Sequence, residues 1–212
     1  MIRMPCGAGI HAPEHHSESP EAYYAHIPGL RVVIPSSASK AYGLLLASIR
    51  NPDPVVFMEP TRAYRFKDEV TLDGKALPLD TSFVLREGAD VTLVSWGALV
   101  TETLEAAHVL HGQGVEAEVI DVATLGTTFD FETILASFAK TQHCVIVHEA
   151  TCTGGFGAEI VARLADEGLN YIAAPIKRVT SYDTIVPLAR LEHDFMPGVP
   201  RILRTVKEVL KT

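Results

Sequence analysis

Four of the nine histidines, His11, His15, His16 and His26, fall within sixteen residues of one another. The segment reads His11-Ala12-Pro13-Glu14-His15-His16-Ser17-Glu18-Ser19-Pro20-Glu21. Its end has the form of a helix start, with Ser19 as cap, Pro20 in the first helical position and Glu21 complementing the positive end of the helix dipole. His15 and His16 are thereby expected on a loop running into a helix amino terminus, with Gly7 and Gly9 leaving room nearby. A neutral imidazole in such a place can accept or donate a hydrogen bond and shuttle a proton. Two other readings stay open at this point. The paired histidines are also what an exposed loop would contain, and His11, His15 and Glu18 could converge on a metal, although no such spacing is diagnostic.

A second feature is Thr151-Cys152-Thr153-Gly154-Gly155-Phe156-Gly157. It follows an apolar strand and opens a helix, the place where α/β sheets form ligand crevices. Gly-Gly-Phe-Gly is neither the G-x-G-x-x-G dinucleotide fingerprint nor a P-loop. Phosphate binding is therefore one reading, and glycines that permit close helix–strand contact are the other. No G-x-S-x-G elbow occurs. Cys152 sits on this loop without any feature that would activate its thiol, so it is not assigned as a nucleophile.

The elements that must position these residues fall into two blocks. In the first, Leu30–Pro35 reads as a short β-branched strand stopped by proline, Lys40–Arg50 as a helix ended by Asn51-Pro52, and Val55–Met58 as a second strand. Strand, helix and strand at that spacing indicate a right-handed parallel crossover. Residues 60–80 have no clean period and read as a linker or surface excursion. The second block alternates: an edge strand at Ser82–Arg86, a strand at Asp90–Ser95, a helix from Leu99 to Gln113 stopped by Gly114, and a strand at Glu116–Asp121. A helix at Phe131–Lys140, a strand at His143–His148, a glycine-led helix to Glu167, a strand at Ile176–Val179 and a closing helix at Val206–Leu210 complete it. Such alternation predicts an α/β fold with a mixed, mostly parallel sheet and helices on both faces. The first block has too few elements for an independent layered domain, so the chain is expected to start inside one.

Composition excludes several classes. The 212 residues carry 18 basic and 26 acidic side chains, a formal charge of −8, with no long basic run, so a nucleic-acid partner is not expected. No apolar stretch reaches the roughly 18–20 residues needed to span a bilayer, and the first residues do not form a secretory signal. Cys6, Cys144 and Cys152 show no zinc spacing and suit a reducing compartment, with Cys144 expected as a buried free thiol.

Read together, the segments resemble the beta subunits of thiamine-diphosphate-dependent 2-oxo acid dehydrogenases. His15-His16-Ser17-Glu18-Ser19-Pro20-Glu21-Ala22-Tyr23 is similar to the family's H-S-Q-S-x-E-A segment. Pro28–Ser36, Gly43–Arg50 with Asp53-Pro54-Val55, Glu59-Pro60, Gly88–Val94, Val119–Asp121, His148-Glu149-Ala150, Thr153–Phe156 and Arg178-Val179-Thr180 with Tyr182-Asp183-Thr184 follow in the family's order. The resemblance implies the latter part of a pyrimidine-binding domain at residues 1–65, a linker at 66–80 and a transketolase C-terminal-like domain at 81–212. It implies that His16 is the active-site histidine beside the thiazolium, donating a proton to the dithiolane as the acyl group passes to the lipoyl arm, with His15 near the thiamine site. Carbonyls of Ser48, Asn51 and Asp53 match positions that hold a potassium ion in relatives. The family's glutamine two residues after the histidine is Glu18 here, and Thr151-Cys152-Thr153 departs from the usual Ala-Pro-x-Thr pattern.

The resemblance further implies an enzyme of two alpha and two beta subunits that decarboxylates a 2-oxo acid and acylates the lipoyl group of an acyltransferase. Thiamine diphosphate and Mg2+ would be held mostly by the alpha subunit and by a preceding part of the beta subunit, so this chain alone is expected to be inactive. Ser19-Pro20-Glu21-Ala22-Tyr23 favours the branched-chain type; pyruvate and acetoin enzymes, or a non-catalytic assembly module, are the alternatives. The implied location is bacterial cytoplasm or the mitochondrial matrix.

Overall fold

The computed structural model describes residues 1–211. In chain order its elements begin β1 (Ile2–Cys6), α1 (Pro13–His16), α2 (Glu21–Ala25), β2 (Arg31–Val33), α3 (Ala38–Arg50) and β3 (Val55–Pro60). A short 3-10 helix, Thr61–Arg65, leads into an irregular stretch. The chain continues with β4 (Ser82–Arg86), β5 (Val91–Ser95), α4 (Val100–His111), β6 (Ala117–Val122), β7 (Thr124–Leu125) and α5 (Phe131–Thr141). It closes with β8 (Cys144–Thr151), α6 (Gly157–Glu167), β9 (Lys177–Ser181), α7 (Ala189–Phe195) and α8 (Val199–Val209).

Every residue of β5 and β6 is buried, as continuous apolar runs require when helices cover both faces of a sheet. These two strands lie at the heart of a five-stranded sheet of order β4-β6-β5-β8-β9, parallel except for the edge strand β4. A smaller sheet has the order β1-β3-β2-β7. Its first three strands are parallel, and α3 crosses over between β2 and β3 as expected. Ser37 caps α3 by accepting from the Lys40 N–H, and the helix ends before Pro52, which has no N–H to continue it.

β7 was not legible in the sequence. This two-residue strand leaves the larger sheet after β6 and pairs antiparallel with β2, so the later half of the chain completes the earlier half's sheet. One apolar cluster accordingly spans both sheets, bringing Val32, Val56 and Met58 against Val94, Trp96, Ile120, Phe138 and Phe156. The irregular stretch is also tied down. Leu77 donates its N–H to the Gly43 carbonyl and lies where a side chain at 43 would stand, 2.6 Å from an added Cβ.

Among the described residues no helix is long and apolar enough to cross a membrane. Cys6 and Cys144 are buried free thiols, and burial pushes Cys144 up to about 12.

Phe138 is fully buried in the cluster that joins the sheets. Phe138→Ala is expected to cost about 3–5 kcal/mol through lost transfer energy and an unfilled cavity. Denaturant unfolding of the two proteins measures it, and a loss below about 1 kcal/mol would contradict the packing described.

Candidate functional site

The histidine segment is a closed loop. Gly7 N–H donates to the Glu18 carbonyl at 2.9 Å, joining the two necks, and Thr61 Oγ1 donates to the Gly7 carbonyl at 3.0 Å. Within it, His15 and His16 form the last residues of α1 and are both exposed, rather than lying on an extended approach to a helix. The expected cap is corrected as well. Pro20 occupies the cap position of α2 with no side-chain cap bond, while Ser19 Oγ points 3.5 Å from Glu149 Oε1. A half-buried carboxylate competes for that hydroxyl more strongly than a five-residue helix does.

Ser17, Glu18, Ser19, Tyr23 and His26 form one wall of a cleft of about 550 Å³. Glu149, Thr151 and the Thr153–Gly155 loop form the facing wall, closed by Phe195. The ring of His16 does not itself line this space; the chain directly after it does. Ser48, Asn51 and Asp53 stand elsewhere, at and beyond the carboxyl end of α3.

Two carboxyls meet in a small cavity beside the cleft, Glu21 buried and Glu149 half-buried, and sequence reasoning did not assign either to the site. Glu149 is held by the Ala8 N–H, and burial raises it to about 7 against the opposing charge of Arg62. Glu21 accepts from Trp96 Nε1 at 3.1 Å, and burial raises it also to about 7. Both line, with Cys6, Ser19 and Trp96, a cavity of about 20 Å³ at the seam of the two sheets, enough for one water. The signal for Glu149 is an acid two residues after the apolar run Cys144–Val147, near the carboxyl end of β8.

Gly155 and Gly157 are explained by packing, and Gly154 by its φ of 70°. The His148 ring stacks on Trp96 with centroids 5.1 Å apart and planes 8° from parallel. Its atoms lie 2.6 Å from where a Cβ would stand on either Gly155 or Gly157. Burial, helped by the Arg178 charge, pushes His148 down to about 3 and keeps the ring neutral.

Cofactor fit can be tested on these residues. Among the described residues no Lys or Arg lines the cleft, while Glu18 and Glu149 do, so the cleft does not fit a diphosphate. At the end of α3, Asn51 N–H donates to the Ala47 carbonyl and Pro52 has no N–H to offer the Ser48 carbonyl, which leaves that oxygen without a helical donor. Among the described residues no group of three or more His, Cys, Asp and Glu could hold a metal, and His11 pairs with Glu192 at 2.5 Å instead of joining His15 and Glu18.

Comparison with known proteins gives two family matches, the transketolase pyrimidine binding domain over residues 1–67 and the transketolase C-terminal domain over residues 81–202. Subunit beta 2 of a mitochondrial 2-oxoisovalerate dehydrogenase from Arabidopsis thaliana is 43% identical over 99% of this chain and 58% of its own length. The pyruvate dehydrogenase E1 component subunit beta of Bacillus subtilis is 40% identical over 99% of this chain and 65% of its own. The chain thus spans about three fifths of the length of these relatives. An inactive beta4 tetramer of a split-gene transketolase shares the fold with a TM-score of 0.79 at 24% identity, covering 99% of this chain and 66% of that one.

The raised carboxyls carry a pH signature. Glu21 ordinarily titrates near 4.5 and here near 7, so the folded state holds its proton more tightly than the unfolded state does. Its contribution to stability is complete below about 4.5 and is lost as pH rises through about 7. Glu21→Gln keeps the acceptor for Trp96 and is expected to flatten stability against pH between these values. Unfolding midpoints measured across that window check it; an unchanged slope would refute the assignment.

Proposed function

This chain belongs to the transketolase family, and from that premise we propose that it is part of the beta subunit of a thiamine-diphosphate-dependent 2-oxo acid dehydrogenase of the 2-oxoisovalerate type. The carrying observation is the 43% identity across 99% of the chain, together with His15-His16-Ser17 on a closed loop whose neck forms a cleft wall. On this reading residues 1–65 belong to a pyrimidine-binding unit, 66–80 link, and 81–212 form the C-terminal unit. Partners are an alpha subunit, a second beta subunit and a lipoyl-bearing acyltransferase, in bacterial cytoplasm or the mitochondrial matrix.

His16 is the residue assigned to chemistry, with His15 beside the thiamine site. Opening a dithiolane by attack on one sulfur leaves the other as a thiolate. An exposed imidazole on a fastened loop can deliver a proton to it, for a contribution of roughly 10²–10⁴-fold. The acidic cleft is no place for a diphosphate, so the reading assigns that group and its Mg2+ to the alpha subunit. The carbonyls of Ser48, Asn51 and Asp53 are assigned a structural potassium ion, whose coordination would brace the α3–β3 turn.

The pyruvate enzyme is the second reading, supported by the 40% identity to the Bacillus subtilis subunit. The test uses a beta subunit carrying these residues, assembled with an alpha subunit and thiamine diphosphate. A kcat/KM for 2-oxoisovalerate at least roughly 10-fold above that for pyruvate is expected, and the reverse order selects the second reading. In the same assembly His16→Ala should lower lipoyl acylation by roughly 10²-fold or more while leaving cofactor affinity unchanged. Equal acylation in variant and parent would remove His16 from this role.

A further inference from the structure

The loop that carries His16 is fastened from outside itself. Gly7, Gly9 and His11 have φ values of 85°, 102° and 62°, a left-handed series that turns successive N–H groups to one side. Those groups end on two acids of the later half of the chain. Ala8 N–H donates to Glu149 on β8. Gly9 N–H donates to Glu192 Oε1 at 2.8 Å and His11 N–H to Glu192 Oε2 at 3.0 Å, both on α7. The His11 ring adds Nδ1 to Glu192 Oε2 at 2.5 Å. Glu192 is 1% exposed, so these donors are what satisfies a buried acid. Arg62 backs the loop: its Cδ lies 2.1 Å from where a Cβ on Gly9 would stand, and its guanidinium is drawn off by Glu102. Neither acid touches His16. Both fix the chain on the amino side of α1, and Glu149 also meets Ser19 beyond it.

We propose that Glu149 and Glu192 are positioning residues, gripping the N–H groups of Ala8, Gly9 and His11 so that the loop, and with it His16, is held beside the cleft. The inference rests on the role given to His16 above, and it deepens that role by naming what sets the ring's place.

Two measurements test it. In the 212-residue chain, Glu192→Gln should speed amide exchange at Gly9 and His11 by at least roughly 10-fold and shift the His16 ring resonance. Unchanged exchange or an unmoved His16 resonance overturns the proposal, whatever the enzyme turns out to be. In the assembled enzyme, Glu192→Gln and His16→Ala should each lower acylation kcat with KM for the lipoyl domain unchanged, and the double variant should be no slower than His16→Ala alone. Losses that multiply would mark Glu192 as a general stabiliser and overturn the positioning role. If His16→Ala has no effect, it is the His16 reading that fails, while exchange and resonance still decide the fastening. Should Glu192→Gln not fold, His11→Ala removes the ring donor alone, and Glu149→Gln weakens the grip on Ala8; the same outcomes apply to each.

Discussion

Paired charge, buried or half-buried, at the seam between the two sheets constrains everything else in this molecule. The acids come almost entirely from the later part of the chain and the donors from the earlier part. Lys40 meets Asp121 at 2.6 Å, Arg62 meets Glu102 at 2.5 Å, and Arg31 meets Asp80 at 2.8 Å. Ser36 adds a hydroxyl to Asp121, and the N–H groups of Ala8, Gly9 and His11 serve Glu149 and Glu192. Removing Lys40 would leave Asp121 as an uncompensated buried charge, at a cost of roughly 3–5 kcal/mol, whereas the other two pairs keep partial contact with water. The apolar cluster spanning both sheets supplies most of the driving force, but apolar packing tolerates small shifts. Charged hydrogen bonds do not, so they decide how one sheet sits on the other.

That arrangement explains how a long loop can be placed accurately. Residues 7–18 lack a strand or a long helix to hold them, and their backbone groups still need partners. The neck bond between Gly7 and Glu18 closes the loop on itself, but closure alone leaves its direction free. Carboxylates on β8 and α7 remove that freedom: Glu149 is rooted in a strand of the larger sheet, and Glu192 stands on the helix whose Phe195 packs against Ala8 of the loop. Among the described residues Glu18 and Glu149 are the acids that line the cleft, and no Lys or Arg joins them. A site built this way suits a proton donor and a neutral or cationic visitor, and an anionic group has to be met by another surface.

Periodicity made the central elements legible: β2, β3, β5, β6 and β8, with the helices α3 to α6, each announced themselves by apolar spacing and by Gly or Pro stops. What escaped was non-local or short. β7 has two residues, and only its pairing with β2 makes it a strand. α7 has seven residues, no side-chain cap, and Leu188 and Leu191 exposed, so no apolar stripe marks it. α8 starts at Val199, seven residues before the expected Val206, because Pro200 is tolerated in the first turn. Ser19 looked like a cap on every local criterion, and a distant acid claimed its hydroxyl. The histidine loop could be found from residue types; the acids that hold it could not, because nothing near Glu192 in the sequence says that it is buried.

The glycines after β8 show why a local motif needs its tertiary partner before it can be read. A Gly-rich turn between a strand and a helix invites a phosphate, since helix N–H groups point outward there. Here the space a phosphate loop would leave open is occupied by the His148 ring, sandwiched between Trp96 and the backbone of Gly155 and Gly157. The ring must be flat and uncharged to fit, and burial keeps it so. Trp96 in turn spends its N–H on Glu21, the first residue of α2. One stack of groups therefore runs from the glycine turn through His148 and Trp96 to the helix that follows the histidine loop. Both walls of the cleft lean on it, which is why glycine at 155 and 157 bears on the shape of the site.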